Sequence, residues 1–405
     1  MSLEAGFAPP QSFADAFDQA HELAAQEAAW SDFGEPDYRL GLRVLLQSMD
    51  YDPVFTDFGR RVAWGMVVRT LAARAGAIKS MAQNPGFDRE PIRKPVVITG
   101  IPRTGTTALH KLMAVDPQFQ GLQGWLIDAP MPRPRQETWA DQPAFQAAVA
   151  RLNARFAATP DLRAAHNMVA EEVDECLGVL SQSFASNIWT CGWSSATYDA
   201  WWRIQSERPA YRHLRRVLQL IGSPEPEKRW LLKNPGHIAN LDLLFETFPD
   251  AMVVQTHRDP AKALPSLCEI LKKSHPMMEV GREKLWAQIL GIRETEKWAK
   301  AVRDAEPVRE GRRGQVMDVI HGDFHRDPLA VIRRIYAFVE LELAPDVEAA
   351  MRQRISEDPE RAHGQHRYDV TEFGLTEDEI RERFGDYIDQ FDLRSQGSPT
   401  KETVR

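Results

Sequence analysis

Three groups of residues have the types and spacing to do chemistry. The first is Gly100-Ile101-Pro102-Arg103-Thr104-Gly105-Thr106-Thr107. Its glycines let backbone approach a ligand closely, Thr106 and Thr107 add hydroxyl donors, and Arg103 adds a cation. Placed before a helix, such a loop offers unpaired amides and the positive end of a helix dipole to an anion such as phosphate. The second group is His257-Arg258-Asp259-Pro260, with Ser266 eight residues after Arg258; a guanidinium and a hydroxyl are both good donors to phosphate oxygens. The third is Lys233 with His237 four residues later and 21 residues before Arg258.

Each group needs an element to hold it. Pro95-Val96-Val97-Ile98-Thr99 is a short β-branched run, and Leu109, Leu112 and Met113 follow the Gly100–Gly105 loop at helical spacing, so this unit reads strand, loop, helix. Arg229 to Lys233 reads as a strand broken by Asn234-Pro235-Gly236. Leu241, Leu244, Phe245 and Phe248 then make a helical face, Ala251 to Thr256 is a strand, and a helix begins at Pro260. Gln315 to Ile320 is a further strand, with a helix from about Pro328 to Val339. Strands alternating with helices predict a three-layer α/β sandwich around a central parallel sheet, P-loop-like in its first turn. Ligands in such sheets sit outside the carboxyl ends of the strands, where all three groups fall.

Around that core, helical spacing over Phe13 to Trp30, Tyr38 to Gln47 and Phe58 to Met81 predicts a helical preface over residues 1–90. The core is expected over 91–345, with a mostly helical insertion at about 126–225. That insertion carries Trp189, Trp193, Trp201 and Trp202 and is expected to cover an acceptor. Residues 346–405 are expected to fold back on the core, with a disordered end from about 395, where Ser, Gly, Pro, Thr and Lys dominate.

Near matches to other chemistries fail at particular residues. A nucleotide triphosphatase loop has Lys after its second glycine, and here that position is Thr106. His257-Arg258-Asp259 resembles the protein-kinase catalytic loop, and His321-Gly322-Asp323-Phe324 resembles a small-molecule kinase motif. Neither has the Asn that would hold a metal. An ATP-dependent phosphotransferase therefore stays as the alternative reading, beside a nucleotide-binding protein of the same fold without chemistry. The loop could also be an ordinary Gly- and Thr-rich strand-to-helix turn.

The segment around Gly100–Thr107 resembles the 5′-phosphosulfate-binding loop of the sulfotransferases, in the bacterial form whose loop cation is Arg. That resemblance runs from about residue 91 to about 390. It implies a soluble enzyme that moves a sulfuryl group from 3′-phosphoadenosine 5′-phosphosulfate (PAPS) to a hydroxyl acceptor. Arg103, Thr104, Gly105, Thr106 and Thr107 would surround the donor's 5′-phosphate, with Arg103 also stabilising the leaving charge. Arg258 and Ser266 would hold the 3′-phosphate. His237 would be the general base, with Lys233 touching the transferring group, although Lys-x-x-x-His is longer than the family's Lys-x-His and His237 also suits a helix cap. A family glutamate after the phosphate-loop helix has no counterpart here: Leu126 departs from the Trp-Glu pattern, and Asp128 suits a turn. His166 and Asp174-Glu175-Cys176 resemble a segment that lines the acceptor pocket, and Glu171 to Glu175 equally suit a solvated helix end. His366-Arg367-Tyr368 with Phe373-Gly374-Leu375 resembles a C-terminal motif expected near the donor. No metal is implied.

Composition limits the partners. The 405 residues carry 50 Lys and Arg against 58 Asp and Glu, a formal charge of −8, with no basic tract for nucleic acid. Clustered tryptophans favour a small or apolar alcohol, phenol or lipid as acceptor. Cys176, Cys191 and Cys268 have no metal-ligand spacing and suit a reducing cytoplasm. No stretch approaches the roughly 18 apolar residues of a membrane span, and the start lacks a leader pattern.

Overall fold

The computed structural model describes residues 7–158, 169–273, 275–281, 283–357 and 369–394. Its centre is β1 (Val96–Thr99), four consecutive buried residues, which only a strand covered on both faces can place. Around it lie β2 (Phe119–Gln120), β3 (Arg229–Lys233), β4 (Met252–His257) and β5 (Val316–Ile320), in the order β2-β3-β1-β4-β5, with every pairing parallel. β2, only two residues long, carries no periodicity that sequence could reveal.

The sheet divides its apolar residues by pleat. Val97, Leu232 and Val253 face a core shared with the Arg208–Gly222, Leu241–Thr247 and Glu283–Gly311 helices. Val96, Ile98, Leu231 and Val254 face the opposite core, with α4 (Thr106–Met113) and the Pro328–Phe338 helix. These are the three expected layers. Each such buried side chain contributes about 1.5–3 kcal/mol, so the strand ends rest on a stiff base.

Strand order also locates the cleft. After β1 the chain leaves toward β2 and β3, whereas after β4 it leaves in the other direction, toward β5. The crevice between diverging connections therefore opens at the ends of β1 and β4. Register puts Ile98 opposite both Lys233 and Val254, so the loops after β1, β3 and β4 start at one level.

The preface forms α1 (Phe17–Ala28), α2 (Arg39–Tyr51) and α3 (Asp57–Gln83), whose apolar faces make a separate core. Phe184, Trp189, Trp193 and Tyr198 of the insertion complete that core, with Phe184 stacked on Trp189 at 5.2 Å. The expectation that tryptophans cover an acceptor is thus corrected for Trp189 and Trp193, which are buried in packing; Trp201 and Trp202 are half-buried against the same core. Arg74 ties the two parts, donating to the carbonyls of Phe33 (2.8 Å), Glu35 (2.8 Å) and Gln182 (3.2 Å) and pairing with Asp37 at 3.0 Å. Between 169 and 202 the insertion is made of short turns and helices, such as Leu177–Leu180 and Ala196–Trp202.

At the C-terminus, Glu377–Phe384 packs on the Pro260–Lys272 and Glu283–Gly311 helices. Phe373 lies so close to Gly291 that a Cβ there would stand 2.3 Å from the Phe373 carbonyl oxygen. The His366-Arg367-Tyr368 motif, His166 and the tail from 395 lie outside the described residues. Among the described residues no helix is long and apolar enough to cross a membrane, and all three cysteines are unpaired.

Candidate active site

The loop after β1 is held in shape from the β4 side. Gly100, at φ +136°, lies where a Cβ would stand 2.4 Å from the Thr256 carbonyl oxygen, so only glycine lets the two strand exits meet. Thr104 Oγ1 donates to the Ile101 carbonyl at 2.7 Å and shares a 2.6 Å hydrogen bond with Thr256 Oγ1. Its hydroxyl is therefore turned inward and fixes the loop. Gly105, at φ +91°, is the N-cap of α4 and no side chain caps it, so the first-turn amides are available to an anion. Thr106 is buried and Thr107 half-buried.

Arg103 is exposed and has φ +67°, a left-handed conformation that costs a non-glycine residue about 1–3 kcal/mol. That turn aims its carbonyl at Arg258, which donates to it through a terminal guanidinium nitrogen at 3.0 Å. Arg103 Nε in turn donates to Ser266 Oγ at 3.2 Å. Three residues 163 positions apart at most are thus brought to one face of the crevice. The geometry can take a second anion beside the loop, with two guanidiniums and a hydroxyl as donors.

The neighbours of Arg258 serve structure. Buried His257 shares hydrogen bonds with Asp318 Oδ1 at 2.8 Å and Tyr387 Oη at 3.0 Å, and stacks on Phe391 at 3.8 Å. Burial lowers its pKa against the pull of Asp318. Asp259 accepts from the Ala261 amide at 3.0 Å, capping the Pro260–Lys272 helix, and pairs with Arg381 at 2.8 Å. A kinase-type Asp would have to be free for a metal or hydroxyl, and this one is committed. Among the described residues no three His, Cys, Asp or Glu are grouped to hold a metal ion.

His321 was read in sequence only as part of a kinase-like motif, yet it borders this cluster. Its ring would lie 3.4 Å from a Cβ at Gly105. Burial first, then the charges of Arg258, His325 and Arg103, lower its pKa to about 3, so it is a neutral ring beside two guanidiniums. Parallel pairing of β5 with β4 brings it there, a relation that local spacing does not carry.

At the end of β3, Lys233 is almost wholly buried, and its Nζ donates to Thr107 Oγ1 at 3.2 Å and to Glu175 Oε1. Glu175 keeps 26% of its side chain exposed against 3% for Lys233, so the carboxylate stands on the solvent side of the pair. The backbone around it is fixed on both sides: the Asp174 amide donates to the Leu122 carbonyl at 2.6 Å, and the Cys176 amide to that of Lys233 at 2.9 Å.

His237 stands on the turn that follows β3. It is fully buried in the Pro235–Asn240 turn, its Nδ1 hydrogen-bonded to Tyr211 Oη at 2.7 Å, and burial lowers its pKa to about 3. Asn234, which accepts from the Gly236 amide at 3.1 Å, is the residue that caps this turn. Asp128 is paired with Arg151.

A parallel sheet with a Gly- and Thr-rich loop after β1 and a second cationic cluster at its switch point defines an α/β protein of the strand-loop-helix type. The sulfotransferase family model matches residues 95–345, and the chain belongs to that family. The chain is similar to the crystal structure of sulfotransferase STF1 from Mycobacterium tuberculosis H37Rv, with 32% identity, TM-score 0.81, and 91% of this chain and 98% of that one covered. Sulfotransferase STF9 from Mycobacterium avium has 27% identity and TM-score 0.85, with 93% and 96% covered. The omega-hydroxy-beta-dihydromenaquinone-9 sulfotransferase Stf3 of Mycobacterium bovis is 28% identical over 185 residues. That match spans 44% of this chain and 45% of the relative's length.

Proposed function

We propose that this protein transfers a sulfuryl group from PAPS to a hydroxyl on a small, largely apolar acceptor. The observation that carries the reading is the meeting of Arg103, Arg258 and Ser266 beside the loop. One phosphate on the loop and another on this cluster match a donor with separate 5′- and 3′-phosphates, which ATP lacks. The amides of Gly105, Thr106 and Thr107 would receive the 5′-phosphate, and Arg103 would meet the charge that grows on it as the sulfur–oxygen bond breaks. Arg258 and Ser266 would hold the 3′-phosphate, with the neutral His321 ring packed alongside.

Lys233, already bonded to Thr107, would reach the transferring group, which must lie in line between leaving phosphate and acceptor oxygen. His237 has no exposed atom, and we assign it to holding the β3 exit turn through Tyr211. The relative named for a menaquinone-type substrate supports an apolar acceptor here as well. We divide the chain functionally into a helical preface (1–90), a donor-binding core (91–345) and a C-terminal part (346–405), working in a reducing, cytoplasmic setting.

Titration calorimetry with 3′-phosphoadenosine 5′-phosphate, with ATP and Mg²⁺ in a parallel cell, tests the reading. Tight binding of the bisphosphate that Arg258→Ala weakens supports it. Binding of ATP with Mg²⁺ in preference would overturn it and favour a phosphotransferase.

A further inference from the structure

We infer that a narrow pocket beside the β3 exit takes a neutral, hydrogen-bond-accepting oxygen of the acceptor, a carbonyl-type group remote from the reacting hydroxyl, with Glu207 and Asn240 as its donors; this rests on the sulfotransferase reading. Leu177, Trp202, Glu207, Ala239, Asn240 and Lys297 are among the residues that line the pocket. Two chain segments meet at the Lys233–Glu175 pair, and both run on into its wall. Asn234 follows Lys233 at the end of β3, and Leu177 comes two residues after Glu175. Ala239 is exposed and Leu177 and Asn240 are half-buried, so the wall reaches solvent there. The pocket thus adjoins the place where Lys233 would meet the transferring group. Its narrowness admits one compact polar group and leaves the rest of an apolar acceptor outside.

The buried groups decide which polar group fits. Glu207 is buried, and its Oε1 accepts from Trp202 Nε1 at 3.0 Å. Among the described residues no cation pairs with it. Burial, against hydrogen bonds from Trp202 and Asn240, raises its pKa to about 7. A carboxyl group kept neutral by its surroundings becomes a hydrogen-bond donor. The protonated acid and the Asn240 amide hold three donors between them and spend one on each other, which leaves donors for a ligand oxygen. Such an oxygen bonds the O–H of the protonated acid and therefore favours that form further.

Lys297 excludes the opposite charge pattern. It is held by Glu294 at 2.6 Å, and Glu294 is also bonded to Arg293 at 2.9 Å and to Trp298 Nε1 at 3.0 Å. A cationic group in the pocket would meet the Lys297 ammonium, and an anionic one would drive against a carboxyl that can ionise. A ketone, quinone or amide oxygen satisfies both walls without a net charge to desolvate.

Calorimetry on the full chain loaded with 3′-phosphoadenosine 5′-phosphate tests this with three phenols of similar acidity. 4-(4-Hydroxyphenyl)butan-2-one carries a ketone on an insulating spacer, 4-butylphenol lacks the oxygen, and tyramine carries an ammonium. Ketones on longer spacers are run beside alkylphenols of equal length. The wild type is expected to bind at least one ketone about tenfold or more tighter than its alkyl partner, and tyramine more weakly than that ketone. Glu207→Gln keeps an N–H donor and should hold the preference within about 3-fold, whereas Glu207→Leu should lower it to about 3-fold or less with bisphosphate affinity unchanged. Ala239→Trp fills the exposed rim without touching the buried groups and should weaken the ketone about tenfold, which keeps the test open if the Leu variant misfolds. Equal affinity for ketone and alkyl partners, binding of neither, tyramine as the tightest ligand, a preference lost in Glu207→Gln, or a ketone indifferent to Ala239→Trp each overturns the pocket assignment and leaves the donor reading standing. A wild type that does not bind the bisphosphate overturns both.

Discussion

On the proposed donor side of the cleft, Arg103 and Arg258 stand within four residues of the ends of the adjacent strands β1 and β4, and Ser266 lies in the helix that follows β4. On the other side, Glu175 meets Lys233 across 58 residues and through an insertion of short, irregular turns. The first arrangement follows from the sheet: a parallel register delivers successive loops to one edge, whatever joins them. The second depends on where a long connection happens to return. The proposed donor site is therefore built on the sheet, and the Lys233–Glu175 pair on its least regular surroundings, an arrangement that lets a fold keep one donor while its loops change acceptors.

The largest effect should come from breaking the donor side at its catalytic end. Arg103→Ala is expected to lower kcat by ~100- to 1,000-fold, the range for losing one preorganised donor to developing charge. Steady-state rates against PAPS concentration would show it as a fall in kcat beyond any rise in KM. Arg258→Ala should raise the dissociation constant of 3′-phosphoadenosine 5′-phosphate by ~10- to 100-fold, since a charge-assisted contact contributes about 1.5–3 kcal/mol. A calorimetric constant unchanged by this substitution would remove Arg258 from the site. Ser266→Ala should cost less, about 3- to 10-fold, as a neutral hydroxyl does.

His237 sharpens the comparison from the opposite direction. Tyr211→Phe leaves His237 Nδ1 buried without its partner and should destabilise the fold by about 1–3 kcal/mol, seen as a lower urea midpoint. The catalytic rate of the remaining folded enzyme should stay within a few-fold. A selective loss of rate at unchanged stability would return His237 to the reacting centre.

The smallest effect is on pH dependence. Burial lowers His237 from its ordinary 6.5 to about 3, so below pH 6.5 the unfolded chain takes up a proton that the native one refuses. Stability from this residue is complete above pH 6.5 and falls as the pH drops toward 3, by at most about 1.4 kcal/mol per pH unit. His257 is shifted the same way by burial. Urea midpoints at pH 7.5 and 5 should fall accordingly, and His237→Gln should remove one proton from the slope.

The strands that carry the donor site were legible because a β-branched run ending in Gly, Pro or His-Arg-Asp-Pro is a local pattern. β1, β3, β4 and β5 appear within a residue or so of expectation. Legible too were the loop and the Arg258–Ser266 spacing, since each lies within one strand-loop-helix unit. Thr104 was placed around the 5′-phosphate by resemblance, and only the contact with Thr256 reveals that its hydroxyl faces inward.

By itself, then, the sequence determined a parallel sheet, its order of elements and two cationic stations at strand ends, because short-range periodicity and turn chemistry act within a few residues. Tertiary structure alone decided which polar groups face the cleft. His237 looked reactive and is fully buried, hydrogen-bonded to Tyr211; Trp189 and Trp193 looked like a pocket and are core; Glu175, read only as a possible acceptor-pocket residue, pairs with Lys233; and His321, read only within a kinase-like motif, stands beside Gly105. Exposure and pairing of a side chain depend on elements far away in the chain, and no local pattern encodes them.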